Sequence, residues 1–185
     1  CITGDYNRTV AANTGMSYSL ANILRRSGME RLKRHLPESH SEDEVRDYIY
    51  SKTVNPTFVP STPEEILVEQ AAAICGIESS WSDHLETCFS MKRIGFLDRI
   101  KSRNRKMFEE TFISQEEKEF NLSDINMIIG AGGVISHADP LRAFWMLAEG
   151  FKPLGITGLS MDRDFRSPHL GVLSEIDEME AHNIF

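Results

Sequence analysis

The sequence predicts an α/β protein with a large helical portion. Apolar residues recur at helical spacing between residues 16 and 76, and a short apolar run near residue 128 leads into a glycine-rich turn. The chain has 185 residues, of which 41% are hydrophobic and 26% charged, an ordinary globular composition. We divide it into a mainly helical portion with connecting segments, residues 1–122, and an α/β portion with the glycine turn, residues 123–185.

The first portion begins with a weak strand signal at Thr9–Ala11, followed by the turn residues Asn13–Gly15. Two apolar stripes at helical spacing come next. They predict one helix that ends at Gly28 and a second, shorter one that ends before Pro37.

Two further helices are predicted from their first residues. Ser41 and Glu44 have the spacing of a capping box, which places the start of a third helix there. Thr62 and Pro63 form an N-cap and first-turn pair for a fourth helix. We expect Gly76 to end this helix as a left-handed cap.

Charge is segregated after the fourth helix. Residues 81–97 fit strand and helix equally well, whereas residues 92–106 hold seven basic side chains against one acid, and residues 109–119 are acidic. The basic stretch is either a solvated connection or a surface for phosphate or an acidic partner. The net charge of −8 opposes general binding to nucleic acid or anionic membranes.

The cysteines indicate a reducing compartment. Cys1, Cys75 and Cys88 are an odd number without a CxxC pair, so neither a disulfide framework nor a thiolate zinc site is predicted. His84 lies four residues before Cys88, which we interpret as accidental spacing, and we predict no metal site. With no membrane-length apolar run and no signal-peptide pattern, we expect a cytoplasmic protein.

The last third changes to an α/β pattern. Met127–Ile129 predicts a buried strand, and Asp139 with Pro140 predicts the start of a helix that closes at Gly150. A second strand is predicted at Leu159–Met161, and a polar helical tail follows Gly171–Leu173.

The turn between the first of these strands and its helix is the candidate binding site, formed by Gly130, Ala131, Gly132 and Gly133. Residues without side chains allow a ligand to approach the backbone closely. The turn completes neither a GxGxxG nor a P-loop motif. Because Asp139 already occupies the positive end of the following helix, the turn suits a neutral group such as a nucleoside better than phosphate. The alternative is a tight structural turn.

The sequence leaves two alternative roles for each of four other residues. Asp162 and Asp164 are two apart and would share one face of a strand, either as ligands of a hard cation or as solvated acids. His137 and His169 flank glycine-containing turns, either as contacts to a base or ribose or as ordinary loop histidines. No hydrolase constellation identifies catalytic residues.

Three segments resemble one family. They read RTVAANTGMSYS at residues 8–19, MIIGAGGVISHADP at 127–140 and SMDRDFRSPHLGVLSEIDEMEA at 160–181. In this order they resemble the MutL family associated with glutamate mutase and related aminomutases, which is unrelated to the mismatch-repair protein of that name. The resemblance implies an ATPase of the actin, Hsp70 and sugar-kinase fold that reactivates adenosylcobalamin-dependent mutases.

In that family the loops that hold phosphates and magnesium lie upstream of the first segment, so this chain resembles the C-terminal lobe. The chain also begins at Cys1 without Met, and we expect a piece of a longer protein. The resemblance implies ATP or ADP as cofactor, with adenosine at Gly130, Gly132 and Gly133, a mutase as partner, and no ATPase activity in this chain alone. Where the family has an acidic loop, this chain has Ala11–Gly15. The alternative is a non-catalytic assembly module that binds only a protein partner.

Overall fold

The computed structural model describes residues 9–103 and 122–184, and side chains within these ranges except for those of residues 88–103. It is a mixed α/β structure that is mostly helical, as the sequence predicts, and it contains a small parallel sheet. The helices are α1 Leu20–Ser27, α2 Met29–Lys33, α3 Glu42–Val54, α4 Pro63–Arg103, α5 Gly133–Ser136, α6 Pro140–Phe151, α7 Ser167–Ile176 and α8 Glu178–Ile184, and the strands are β1 Met127–Gly130 and β2 Gly158–Met161.

Three predicted boundaries are confirmed: the end of α1 at Gly28, the end of α2 before Pro37 and the start of α3 after Ser41. Gly28 follows α1 with φ of +81°, a value that favours glycine, and its N–H donates to the Leu24 carbonyl at 2.8 Å. The capping box of α3 is formed in both directions between Ser41 and Glu44. Local polar chemistry therefore sets these boundaries, which is why the sequence predicts them.

The strand predicted at Thr9–Ala11 is wrong. Residues 9–11 are not in a strand, and the turn predicted after them is present as a 3₁₀ turn at residues 12–14. Thr14 closes this turn twice, because both its N–H, at 3.2 Å, and its hydroxyl, at 3.0 Å, donate to the Ala11 carbonyl. A side chain that bonds its own backbone in this way competes with pairing to a strand.

The predicted end of α4 at Gly76 is also wrong, because the helix continues to Arg103. The stretch 81–97 is therefore helical, and the basic residues up to Arg103 belong to a helix instead of a connection. The rest of the basic stretch and the acidic residues 109–119 lie outside the described residues. Residues 68–76 of α4 are buried on all sides, and this packing outweighs the cost of about 1 kcal/mol for a glycine inside a helix.

Two glycines allow close contacts between helices and do not end them. A Cβ on Gly76 would lie 3.2 Å from Cδ1 of Ile23 in α1, and one on Gly150 would lie 2.6 Å from Cγ2 of Ile77 in α4. Accordingly, the predicted end of α6 at Gly150 is wrong by one residue. The helix ends at Phe151 and is followed by Lys152 in the left-handed conformation.

The two predicted strands are present and pair in parallel, with Met127 opposite Gly158 and Gly130 opposite Met161. The prediction that the first strand is buried is wrong, because Met127 and Ile129 are 58% and 47% exposed and only the alternate residues Ile128 and Gly130 are buried. Asp139 caps α6 as predicted, since its Oδ1 accepts from the Leu141 N–H at 3.0 Å. Helices α5 and α6 connect the strands, and α7 and α8 form the helical tail.

Helix α4 contributes to two hydrophobic clusters. One joins it to α1, α2 and α3, and includes Leu20, Ile49 and Cys75. The other joins it to α6 and to Ala138, and includes Ile74 and Met146. The division of the chain at residues 122 and 123 stays a prediction. In the described ranges, the helices fall short of the length or apolarity that a bilayer span requires.

Candidate functional site

An open cleft of about 820 Å³ lies between one face of α4 and the glycine turn. Its lining includes Ala131, Gly132 and Gly133 from the turn, and α4 residues from Ile66 to Ser80 at helical spacing. Thr14, residues 16–18 and the segment 56–60 complete the walls. The cleft has the size of an ordinary small-molecule site, for which volumes of about 300–1,000 Å³ are typical.

The glycine turn has a defined conformation. Gly132 has φ of +113°, which side-chain-bearing residues rarely adopt. Its carbonyl accepts hydrogen bonds from the N–H groups of Ile135 at 3.0 Å and Ser136 at 2.8 Å. These bonds begin α5 and fix the turn between β1 and that helix.

The three glycines of the turn have different surroundings. A Cβ on Gly130 would lie 2.8 Å from Leu147 and 3.0 Å from Ile135, so this position packs beneath the turn and is not part of the cleft lining. A Cβ on Gly132 or Gly133 would meet no atom within 4 Å. Open space next to these two positions is what the approach of a ligand to the backbone requires.

The turn is tied to the end of β2. The buried Ser136 hydroxyl donates to the Asp162 carbonyl at 2.7 Å, and the Asp162 N–H donates to the Gly130 carbonyl at 2.9 Å. These bonds hold both ends of the segment 130–136. The cleft wall is therefore a pre-formed surface of the fold.

The charges of the cleft cancel. Among the residues that line it, only Lys52 and Glu69 belong to the strongly charged types, and they form an ion pair in which both side chains are 7% exposed. Burial lowers the pKa of Lys52. A paired, buried ammonium is a poor phosphate ligand, so the described lining suits a neutral ligand.

Gln70 lies beside this pair and is 6% exposed, and its Oε1 has no hydrogen-bond partner within the described structure. An unsatisfied buried carbonyl oxygen costs about 1–3 kcal/mol. Lys52, Glu69 and Gln70 are not among the site residues predicted from the sequence. A signal was present, because Glu69 and Gln70 are adjacent polar residues inside the apolar run from Ile66 to Gly76.

The Ala11–Gly15 loop lies on the same cleft. Its Thr14 hydroxyl is 2.8 Å from the Ser80 hydroxyl of α4, and both residues line the cleft. Ala11–Gly15 contains no acidic residue, and its contribution to the cleft lining is the hydroxyl of Thr14. The Thr14 and Ser80 hydroxyls add hydrogen-bonding capacity without charge.

Asp162 and Asp164 have protein partners. The Asp162 carboxylate accepts from the N–H groups of Ser167 at 2.9 Å and Arg166 at 2.8 Å, and chiefly the Ser167 bond lowers its pKa. Asp164 pairs with Arg166 at 3.0 Å. Both residues follow β2, so their two-residue spacing does not place them on one face of a strand. These contacts support a structural role at the start of α7.

The candidate histidines lie in different parts of the structure. His137 lines the cleft and its ring centroid lies 6.3 Å from that of Phe165, whereas the exposed His169 lies on α7 and is not among the lining residues. The ring of His84 is hydrogen-bonded through Nδ1 to the Thr9 hydroxyl at 2.7 Å. The side chain of Cys88 lies outside the described residues.

His35, Cys75 and Glu78 also bring three potential metal ligands together, with donor atoms within 4.8 Å of one another. Two cations already face this group, because Glu78 pairs with Lys152 and, at 2.8 Å, with Arg31. Burial raises the pKa of the Cys75 thiol to about 11, which opposes the thiolate form that binds metals. This cluster is therefore a poor metal site.

The sequence model of the family described as MutL protein matches residues 3–185. No curated protein and no solved structure is significantly similar to the chain.

Proposed function

The chain belongs to the MutL family of the glutamate mutase type, not that of mismatch repair, and from this premise we propose that its cleft binds the nucleoside part of ATP or ADP. In this proposal the chain is the C-terminal lobe of an actin-like ATPase that reactivates an adenosylcobalamin-dependent mutase.

The main observation in favour of a nucleoside site is that the backbone of Gly132 and Gly133 faces open space in a large cleft without unpaired charge. A nucleoside fits these properties, since it combines a flat apolar face with neutral donors and acceptors. Ala131, Gly132 and Gly133 would contact it, and Gly130 would support the turn from beneath.

Gln70 supplies a specific acceptor in this proposal. Its unpartnered Oε1 would accept a hydrogen bond from a base amino group or a ribose hydroxyl, which would satisfy a buried group left without a partner. The neighbouring Lys52–Glu69 pair forms a rigid polar boundary.

The phosphates and their magnesium would be held by other loops of a longer protein. Phosphoryl transfer depends on positioning and on neutralisation of charge, and the described lining has no free cation for either task. This lobe would therefore contribute nucleoside binding and closure.

Calorimetry with adenosine tests the site on this chain. Gly133→Asp places a carboxylate in open space of the cleft without a positive-φ penalty, and it should abolish or strongly weaken adenosine binding. Gly171→Asp is the matched control, because its Cβ also meets no atom within 4 Å but it lies on α7, outside the cleft lining. Equal adenosine affinity in both folded variants would overturn the assignment.

The mutase role requires a separate test with a longer protein that includes the upstream loops. A reactivase must bind its mutase with an affinity that depends on the nucleotide, and a coupling of about 1–3 kcal/mol corresponds to about 5–150-fold between ATP and ADP. Charge reversal at Arg103 and Arg105 should weaken this association if the basic stretch is the contact. Equal mutase affinity in all nucleotide states would refute the reactivase mechanism.

The non-catalytic assembly module remains the second candidate, favoured by the neutral Thr14 loop in place of the family's acidic one. Stable mutase association by a protein that binds no nucleotide would support it.

A further inference from the structure

A second groove, of about 790 Å³, lies between α3 and the start of α4. Phe58 lines both this groove and the cleft described above. Neither the family nor the proposed function assigns a role to it.

Two polar side chains in this groove lack partners. His40 is 7% exposed, and neither of its ring nitrogens has a hydrogen-bond partner within the described structure. The buried hydroxyl of Tyr48 also has none. Buried polar groups are normally hydrogen-bonded, so both groups have hydrogen-bonding capacity to offer a polar ligand of the groove.

The groove is strongly acidic. Glu44, Asp47, Glu64 and Glu65 line it, and no lysine or arginine is among its described lining residues. Two of these acids are already used, because Glu44 accepts from Ser41 and Glu65 accepts from the backbone before α4.

Asp47 and Glu64 differ from them. Both are exposed, and the described part of the chain gives neither carboxylate a hydrogen bond or ion pair. The groove therefore offers two available negative charges on the same lining as the unpartnered His40 and Tyr48.

An apolar wall completes the groove. The rings of Tyr48 and Phe58 pack edge to face with centroids 6.1 Å apart, and Val68 lies on the same lining. Such a wall accommodates a short hydrocarbon chain, and an aromatic face also attracts a cation.

From this combination we infer that the groove binds an alkylammonium group. Asp47 and Glu64 bind the ammonium head, the alkyl stem packs against Tyr48 and Phe58, and the third ammonium proton is donated to a ring nitrogen of His40 or to the Tyr48 hydroxyl oxygen. The group belongs either to a free small amine or to a lysine side chain of a partner. This inference does not rest on the proposed nucleoside site.

The test is calorimetric titration of the 185-residue chain with n-butylammonium chloride, with 1-butanol as the uncharged probe. We expect butylammonium to bind and 1-butanol to bind at least about tenfold more weakly, since hydrogen bonds to charged groups are the strong ones. The double variant Asp47→Asn/Glu64→Gln should lose at least about tenfold in butylammonium affinity. Both side chains are exposed and make no hydrogen bond or ion pair in the described structure, so we expect the double variant to fold. Circular dichroism checks this.

Glu175→Gln removes an exposed acid on α7 and is the control variant, which should leave butylammonium affinity unchanged. In the unaltered chain, the ¹⁵N chemical shifts of the His40 ring should change as butylammonium is added. A blocked tripeptide with a central lysine distinguishes the sources: binding equal to that of butylammonium identifies a protein lysine, and binding of butylammonium alone identifies a free amine. The inference is overturned if 1-butanol binds equally well, if neither amine binds, or if Glu175→Gln loses as much affinity as the double variant.

Discussion

Gly132 and Gly133 are adjacent, yet the structure requires glycine at them to different degrees. Both have open space at the Cβ position, but only Gly132 has positive φ, at +113°. Gly132→Ala should therefore cost about 1–3 kcal/mol of unfolding free energy through backbone strain alone. Gly133→Ala should cost nothing or stabilise slightly, because alanine restricts the unfolded chain.

Urea denaturation of the two variants measures this difference directly. Equal stability of the two would show that the turn does not hold Gly132 in its left-handed conformation. The comparison also guides ligand experiments, since a substitution at Gly133 tests the cleft with less backbone strain than one at Gly132.

At the scale of elements, the sequence predicts features that depend on neighbours in the chain. The capping box at Ser41, the cap at Asp139 and the strand, turn and helix order after Met127 depend on contacts within a few residues, and all are formed. The role of a glycine inside an apolar run, by contrast, depends on residues that are distant in sequence.

Gly76 and Gly150 show why. A glycine that ends a helix and a glycine that lets two helices pack closely have the same sequence context. Only the contact with Ile23 in α1, or with Ile77 in α4, distinguishes the second kind. The cleft cannot be predicted from local sequence for the same reason, because Lys52 of α3 and Glu69 of α4 form their ion pair although they are 17 residues apart in sequence. The glycine turn can be predicted because its glycines directly follow the apolar strand β1 in sequence, whereas the short helix α5 between the turn and the Asp139 cap has no such local signal.

The contact of Gly150 with α4 gives an element-scale prediction. Gly150→Ala would place a Cβ 2.6 Å from Cγ2 of Ile77, so overpacking should destabilise the protein by about 1–3 kcal/mol. This sign opposes helix propensity, which favours alanine by about 1 kcal/mol. Gly171→Ala in α7, where a Cβ meets no atom within 4 Å, is the matched control and should stabilise. Thermal unfolding measures both, and stabilisation by Gly150→Ala would contradict the observed packing of α4 on α6.

At the scale of the whole molecule, several ion pairs and caps make stability depend on acid. For Glu78, burial opposes ionisation, but Lys152 and Arg31 outweigh it and lower the pKa. Hydrogen bonds to Glu44, Glu65, Asp83 and Asp162 lower their pKa values as well. In each case the unfolded chain binds protons more readily than the folded one.

These groups therefore stabilise the fold above the ordinary carboxyl pKa of about 4, and the stabilisation is lost as pH falls through the lower folded values. We expect the urea midpoint to fall steadily below about pH 5. Glu78→Gln should reduce this slope, whereas Glu175→Gln, on the exposed face of α7, should leave it unchanged. Equal slopes in all three proteins would show that the Glu78 pairs do not contribute.

The balance of charge in the cleft leads to the last prediction. The Lys52–Glu69 pair leaves the lining neutral, Asp139 occupies the N-terminus of α6, and the chain as a whole carries a net charge of −8. Phosphates added to a nucleoside should therefore gain no attraction from this chain, and adenosine should bind at least as tightly as ADP or ATP.

Magnesium should not change this order, because a metal–phosphate complex needs carboxylates or cations that the described cleft lining does not offer. Calorimetry with the three ligands, with and without magnesium, measures the order, and an assay of phosphate release should detect no ATP turnover by this chain. ATP bound more than about tenfold tighter than adenosine, a difference of about 1.4 kcal/mol, would require phosphate ligands in the chain itself. Magnesium-dependent turnover that Gly133→Asp abolishes would place the complete active site in these 185 residues, and the upstream loops would then not be needed for the chemistry.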